Sequence, residues 1–258
     1  MVPKPHKSSQ YKAAGRSSGG LRQPKILDED QVLQALRDVG AVSTGHFILS
    51  SGRHSDVYAE KFRALEHPDL ALSLGASLAG RFAGQHIDVV LSPALGAIVL
   101  GFSTALALSR DGGPRFMFAE RDAGAMRLRR GFELAPGERV LVVEDVVTTG
   151  TSLKEVLALV DPDALVGAGC LLDRSSGLDL GMPLTSLARL QAATWDPAEC
   201  PLCAEGPDAV APGSRHLAAS SGWPRGRSPA EMGPELGTGA APSGFSCRWT
   251  PPPGGASG

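Results

Sequence analysis

Glu144 and Asp145 stand side by side after four apolar residues and before Val146-Val147-Thr148-Thr149-Gly150-Thr151-Ser152. Adjacent carboxylates suit sugar hydroxyls or a cation, whereas their charge repels phosphate. The hydroxyl- and glycine-rich run that follows does the reverse. It offers backbone N–H groups and hydroxyls at the start of a helix, a ready site for a phosphate dianion. A phosphate cradle beside hydroxyl-binding acids describes a ribose 5-phosphate site. An ordinary strand–turn–helix connection without a ligand would need none of these residue types in this order. No Gly-x-x-x-x-Gly-Lys-Ser/Thr and no Gly-x-Gly-x-x-Gly occurs, so nucleoside triphosphate and dinucleotide readings lack their motif.

These residues need elements to hold them. Val140 to Val143 is the apolar run of a parallel strand covered on both faces. Ser152 is predicted to cap a helix through Leu153, Val156, Leu157 and Val160, with Glu155 completing a capping box. Upstream, Val32, Leu33, Leu36 and Val39 form a helical stripe stopped by Gly40. Pro68 opens a second helix in which Leu70, Leu74, Leu78 and Phe82 recur every four residues until Gly84. Ile87 to Leu91 reads as a short strand, about Gly96 to Ser109 as a helix of small residues, and Phe116 to Phe118 as a strand followed by a polar stretch through Gly131. Leu165 to Leu172 reads as another strand. Strands alternating with helices predict an α/β fold with right-handed βαβ units and a parallel sheet. Ligands of such sheets bind beyond the strand C-termini, where Glu144 and Asp145 are expected to fall.

The chain has 258 residues, 42% of them hydrophobic, enough for one substantial domain with tails. A net charge of −2 gives no global attraction to nucleic acid or membrane, and neither is expected as a partner. No apolar run is long enough to span a bilayer, and the first residues lack the apolar core of a signal peptide. Cys170, Cys200, Cys203 and Cys247 are too few for a disulfide scaffold, so a cytoplasmic location is expected. Residues 1–24 are basic and rich in Ser and Gly, and residues 217–258 are rich in Gly, Pro, Ser and Ala. Both are expected to be disordered tails around a globular part at 25–216.

The run from Val140 to Ser152 resembles the signature of the type I phosphoribosyltransferases, which bind 5-phosphoribosyl-1-pyrophosphate (PRPP). Three further segments sharpen the likeness: Phe47-Ile48-Leu49-Ser50-Ser51-Gly52-Arg53-His54-Ser55-Asp56, Ser92-Pro93-Ala94-Leu95-Gly96-Ala97, and Leu171-Leu172-Asp173-Arg174. Together they resemble the orotate phosphoribosyltransferases, in order from about Leu27 to Arg215. The resemblance implies a central, mostly parallel sheet flanked by helices with a small hood subdomain. It also implies transfer of the phosphoribosyl group of PRPP to N1 of orotate, with Mg²⁺ as cofactor and a homodimer with shared active sites. By the same match, Glu144 and Asp145 would hold the ribose hydroxyls, and Val146, Val147, Thr148, Thr149, Gly150, Thr151 and Ser152 the 5-phosphate. Ala94, Leu95 and Gly96 would face the pyrophosphate. Thr148, Arg174, Ser51, Gly52 and Arg53 would form the orotate pocket, and Mg²⁺ would be bound mainly through PRPP.

Glu120 to Gly131 matches the family's mobile loop, which in relatives closes over the neighbouring subunit's site and neutralises pyrophosphate. Here it offers Arg121, Arg127, Arg129 and Arg130 but no Lys and no His. Arginine stays protonated near neutral pH, so it neutralises charge and does not deliver a proton. Arg121 is the first candidate and Arg127 the second. Ser50 also departs from a pattern that carries Lys next to Ser-Gly-Arg. Cys200-Pro201-Leu202-Cys203 is a CxxC; with His216 as the nearest further ligand it makes a weak zinc set, and Pro197 and Pro201 favour a loop. An unliganded pair at the surface or a dimer contact is expected. Two other functions fit parts of the chain. A PRPP-sensing regulator would need a DNA-binding domain ahead of the fold, and a purine or uracil salvage enzyme would leave Arg174 without a carboxylate to pair.

Overall fold

The computed structural model describes residues 23–49, 51–109 and 113–212. In chain order the elements are α1 (Glu29–Asp38), β1 (Val42–Ile48), β2 (His54–Ala59), α2 (Phe62–Leu65), α3 (Pro68–Arg81), β3 (Val89–Pro93), α4 (Ile98–Leu108), β4 (Arg115–Asp122), β5 (Ala125–Leu128), β6 (Val140–Val147), α5 (Thr151–Leu157), β7 (Leu165–Asp173), β8 (Leu184–Arg189), β9 (Thr194–Trp195), a 3-10 turn at Pro197–Glu199, and α6 (Pro201–Glu205). They form an α/β fold around a sheet of order β5-β4-β3-β6-β7-β8, parallel except for β5, and a three-stranded antiparallel sheet β1-β2-β9.

Period-two alternation along the central strand sorts the core. Leu141 and Val143 face a cluster with Leu36 of α1, Leu74 and Leu78 of α3 and Leu100 of α4. Val140 and Val142 face the opposite cluster with Leu153 and Val156 of α5. Both sides of β6 are therefore dry, as its apolar run requires. α1 begins on an Asp28 capping box with Gln31, and α3 on Pro68 in its first turn. After β3 the chain crosses by α4 to β4 on one side, while β6 lies on the other side of β3. The reversal between β3 and β6 is the topological switch point, where the ends of neighbouring strands open a crevice.

The structure moves several predicted boundaries. β3 runs from Val89 to Pro93 and not from Ile87 to Leu91. β6 does not stop before the acids: Glu144 and Asp145 lie within it and pairing with β7 continues through Val147. The predicted polar stretch after Phe118 is a hairpin, in which β4 extends to Asp122 and β5 returns from Ala125. Residues 1–22 and 213–258, which contain both expected tails, lie outside the described residues.

Candidate active site

At the switch point, the segment after β3 presses on the end of β6. A Cβ on Gly96 would collide with the Asp145 carboxylate and lie 3.0 Å from Lys61 Cε, so only glycine permits this approach. The Ala94–Leu95 peptide beside it is cis. Lys61 Nζ stands 3.1 Å from Asp145 Oδ2 as an ion pair, but its angles miss a hydrogen bond, leaving that oxygen buried without a donor. Asp145 Oδ1 accepts the Val146 N–H, and Glu144 Oε1 accepts the Asp145 N–H at 3.0 Å. Alternation along β6 turns the two acids to opposite sides, with Asp145 on the Gly96 side. Burial first, and then the charge of Asp145, push the Glu144 carboxyl from its usual 4.5 up to about 8. Near neutral pH the Glu144 carboxyl of the substrate-free site therefore keeps its proton.

Beyond Val147 the chain turns sharply into α5. Gly150 makes the turn at φ 72°, and a Cβ there would meet Leu178 Cδ2 at 2.5 Å. Ser152 does not cap this helix, contrary to expectation. Gly150 is the N-cap, no side chain caps it, and Glu155 is engaged by Arg121. The first N–H groups of a helix have no intrahelical acceptor. Here they open beside the exposed Thr148, Thr149 and Thr151, with the Thr149 and Thr151 hydroxyls 3.0 Å apart.

Arg174 follows β7 directly, and its N–H donates to Val147 O at 2.8 Å, which fixes it to the end of β6. Its Nε is buried without a hydrogen-bond partner, and burial holds its pKa below the ordinary guanidinium range. A desolvated cation with no partner is costly unless an anion arrives. On the hairpin, Arg121 donates to Glu155 Oε2 at 2.6 Å and to Gly124 O at 2.7 Å, Arg130 pairs with Glu120, and Arg129 lies 3.8 Å from Asp122. Among the described residues, Arg127 is the hairpin arginine without an ion pair.

Residues 66–181 match the phosphoribosyl transferase domain family. The orotate phosphoribosyltransferase of Caldanaerobacter subterraneus subsp. tengcongensis is 45% identical over 194 residues, 74% of this chain and 100% of that protein. The chain belongs to the orotate phosphoribosyltransferase family. The orotate phosphoribosyltransferase of Thermotoga maritima is 43% identical over 189 residues, 72% of this chain and 99% of its own. Among solved structures, the orotate phosphoribosyltransferase of Mycobacterium tuberculosis H37Rv aligns at TM-score 0.51 with 30% identity, covering 62% of this chain and 97% of that one. That of Aeropyrum pernix aligns at TM-score 0.50 with 28% identity, covering 62% and 93%.

Within this orotate phosphoribosyltransferase fold, the residues singled out from the sequence fall into two groups. Ala94, Leu95, Gly96, Glu144, Asp145, Thr148 to Ser152 and Arg174 gather around the ends of β3, β6 and β7. Ser51, Gly52 and Arg53 lie on the β1–β2 turn, where Arg53 pairs with Asp196 at 3.1 Å and donates to Thr194 O at 2.9 Å. Ser50 lies outside the described residues. The CxxC opens a short helix and is not a loop; Cys203 is exposed as expected, but Cys200 is not. Cys200 is buried and caps α6, because Pro201 in the first turn carries a ready-made helical φ. Lys61 escaped the sequence reading altogether. A lone lysine between Glu60 and Phe62 carries no local signal, and only folding brings it to Asp145.

Proposed function

We propose that this protein transfers the 5-phosphoribosyl group of PRPP to N1 of orotate, giving orotidine 5′-monophosphate and pyrophosphate in pyrimidine nucleotide synthesis. Arg174 carries the choice of orotate over a neutral base. Its half-buried guanidinium is unpartnered at Nε, its backbone is fixed to the end of β6, and the orotate carboxylate matches its fork. In this reading the backbone of Thr148 to Ser152 holds the 5-phosphate, and Glu144 and Asp145 hold the ribose hydroxyls. The Ala94 to Ala97 backbone takes the pyrophosphate, with Lys61 as the nearby cation. Orotate N1 attacks C1 as the C1–O bond breaks; pyrophosphate leaves with the bonding electrons, and the N1 hydrogen leaves as a proton that the pyrophosphate can take up. The carboxylates lie where positive charge develops on the ribose, so the protein contributes positioning and electrostatics.

Mg²⁺ fits this donor set, since Asp145 Oδ2 is a buried hard oxygen without a hydrogen bond. Asp145, with Glu144 beside it, would lie against a Mg²⁺ bound chiefly through PRPP oxygens and water, which would supply positive charge to the departing pyrophosphate. Hairpin arginines, Arg127 before Arg121, supply further positive charge, because Arg121 is already engaged by Glu155. Val99, Phe102 and Leu106 lie at i, i+3 and i+7 on α4 and are 38%, 54% and 51% exposed, an apolar face that supports pairing with a second copy. We place catalysis within residues 25–216, in a cytoplasmic enzyme; 194 residues of this chain span the full length of its Caldanaerobacter relative.

Arg174→Ala tests the assignment. Removing a charge-assisted hydrogen bond is expected to weaken orotate binding about 10- to 100-fold. PRPP affinity should stay within about twofold, measured by calorimetry. Equal loss of both substrates, or turnover of adenine, hypoxanthine or uracil in place of orotate, would contradict the reading.

A further inference from the structure

Two histidines of the small sheet meet the CxxC, outside the group of switch-point residues. His46 on β1 and His54 on β2 bring their ring nitrogens to 2.8 Å, His46 Nε2 to His54 Nδ1. Cys200 Sγ lies 3.4 Å from His46 Nε2, and Cys203 Sγ lies 3.7 Å from His46 Nε2 and 3.3 Å from His54 Nδ1. All four ligand atoms fall within 4.8 Å of one another, and His46, His54 and Cys200 are buried. Neither cysteine is in a disulfide.

The protonation of His46 is fixed by its other nitrogen. Nδ1 lies 2.9 Å from Pro207 O, and a carbonyl cannot donate, so Nδ1 carries the hydrogen. In the neutral ring, Nε2 is then a single lone pair. Three neighbours converge on it: His54 Nδ1, Cys200 Sγ and Cys203 Sγ. One nitrogen position cannot pair with all three at once, whereas one cation between the four atoms is coordinated by all of them. The three sulfur–nitrogen spacings of 3.3, 3.4 and 3.7 Å match such a centre, and the 2.8 Å between the ring nitrogens would open slightly around an ion. Tetrahedral Zn²⁺ with N ligands at about 2.0 Å and S ligands at about 2.3 Å puts neighbouring ligand atoms about 3.3–3.8 Å apart. A ring N–H held by a backbone carbonyl is also the usual second contact of a metal-bound histidine.

We propose that His46, His54, Cys200 and Cys203 form a structural Zn²⁺ site. Two thiolates and two imidazoles are the donor set that favours tetrahedral zinc over the oxygen-loving Mg²⁺. With four protein ligands the site is closed, so it braces and does not catalyse. What it braces is small. A three-stranded sheet with a two-residue β9 has little core, and a metal staple suits it. The segment from β9 to Val210 folds back over the β1–β2 ribbon, with Ile48 N–H donating to Val210 O at 2.8 Å and Val210 N–H to His46 O at 2.9 Å. The metal would lock that segment in place. His54 directly follows Arg53, so the brace also holds the Ser51–Arg53 turn; a role for that turn in binding orotate rests on the function proposed above.

The test reads metal and not turnover. The intact chain, purified under reducing conditions without chelator, is expected to carry about one zinc per chain by elemental analysis. After stripping, it should take up about one Co²⁺ with the intense visible bands of a four-coordinate ion and a thiolate charge-transfer band in the near ultraviolet. Cys203→Ser should lose the charge-transfer intensity of one thiolate and most of the retained metal, whereas His216→Ala should keep both. Failure of reduced wild-type chain to bind either ion would overturn the proposal, as would metal content unchanged in the Cys200→Ser/Cys203→Ser double variant. The wild-type titration decides the matter even if the variants misfold. Orotate turnover measured on the same samples separates failure of this site from failure of the enzyme reading.

Discussion

Glu144 ties the chemistry of the site to the stability of the fold. Its folded-state pKa is raised to about 8, so between the usual 4.5 and about 8 the folded chain keeps a proton that the unfolded chain releases. Stability from this group is therefore full below the lower value and lost as pH climbs through the upper one. Thermal melts of the substrate-free protein should show Tm falling across that window, and Glu144→Gln should abolish that component of the fall and melt higher than the parent above pH 8. A variant with the parent's pH slope would mean that Glu144 is ionised throughout. The paired acids were legible in the sequence after an apolar run, but their burial within the strand was not. The lysine beside them was not legible either, because Lys61 reaches Asp145 across more than eighty residues of chain.

At the scale of elements, Gly150 ends the three-residue turn that joins β6 to α5. Its φ of 72° and the Leu178 side chain both oppose a Cβ, so Gly150→Ala is expected to destabilise the fold by about 1–2 kcal/mol in urea titrations and to raise the KM for PRPP. An unchanged midpoint and KM would show the turn to be tolerant. α1 and α3 were legible because an apolar stripe of helical period ends at Gly or begins at Pro, signals that rest on backbone chemistry alone. β3 was misplaced because Ser92 and Pro93 look like a strand end, yet they pair with Phe118 and Ala119. β6 was cut short for a related reason: carboxylates are unexpected inside a buried strand, and here the site keeps them there. β5 hid among charged residues whose pairing is visible only across the hairpin. The zinc ligands were half legible. The CxxC has a local pattern, but Cys200 meets His46 across 154 positions, beyond any spacing rule.

At the scale of the whole molecule, the proposed function pairs the chain with a second copy of itself. The exposed Val99, Phe102 and Leu106 face of α4 is where that copy is expected to bind, so Phe102→Asp should shift the mass seen by analytical ultracentrifugation from dimer to monomer. A parent protein that sediments as a monomer would remove α4 from this role. The central claim is the reaction itself, and one assay reaches it most directly. Purified protein mixed with orotate, PRPP and Mg²⁺ is expected to bleach the orotate absorbance band, to require all three components, and to release pyrophosphate in equal amount. Binding of PRPP by calorimetry without any loss of orotate would contradict the claim and leave a phosphoribosyltransferase fold that binds the donor but serves another acceptor or none.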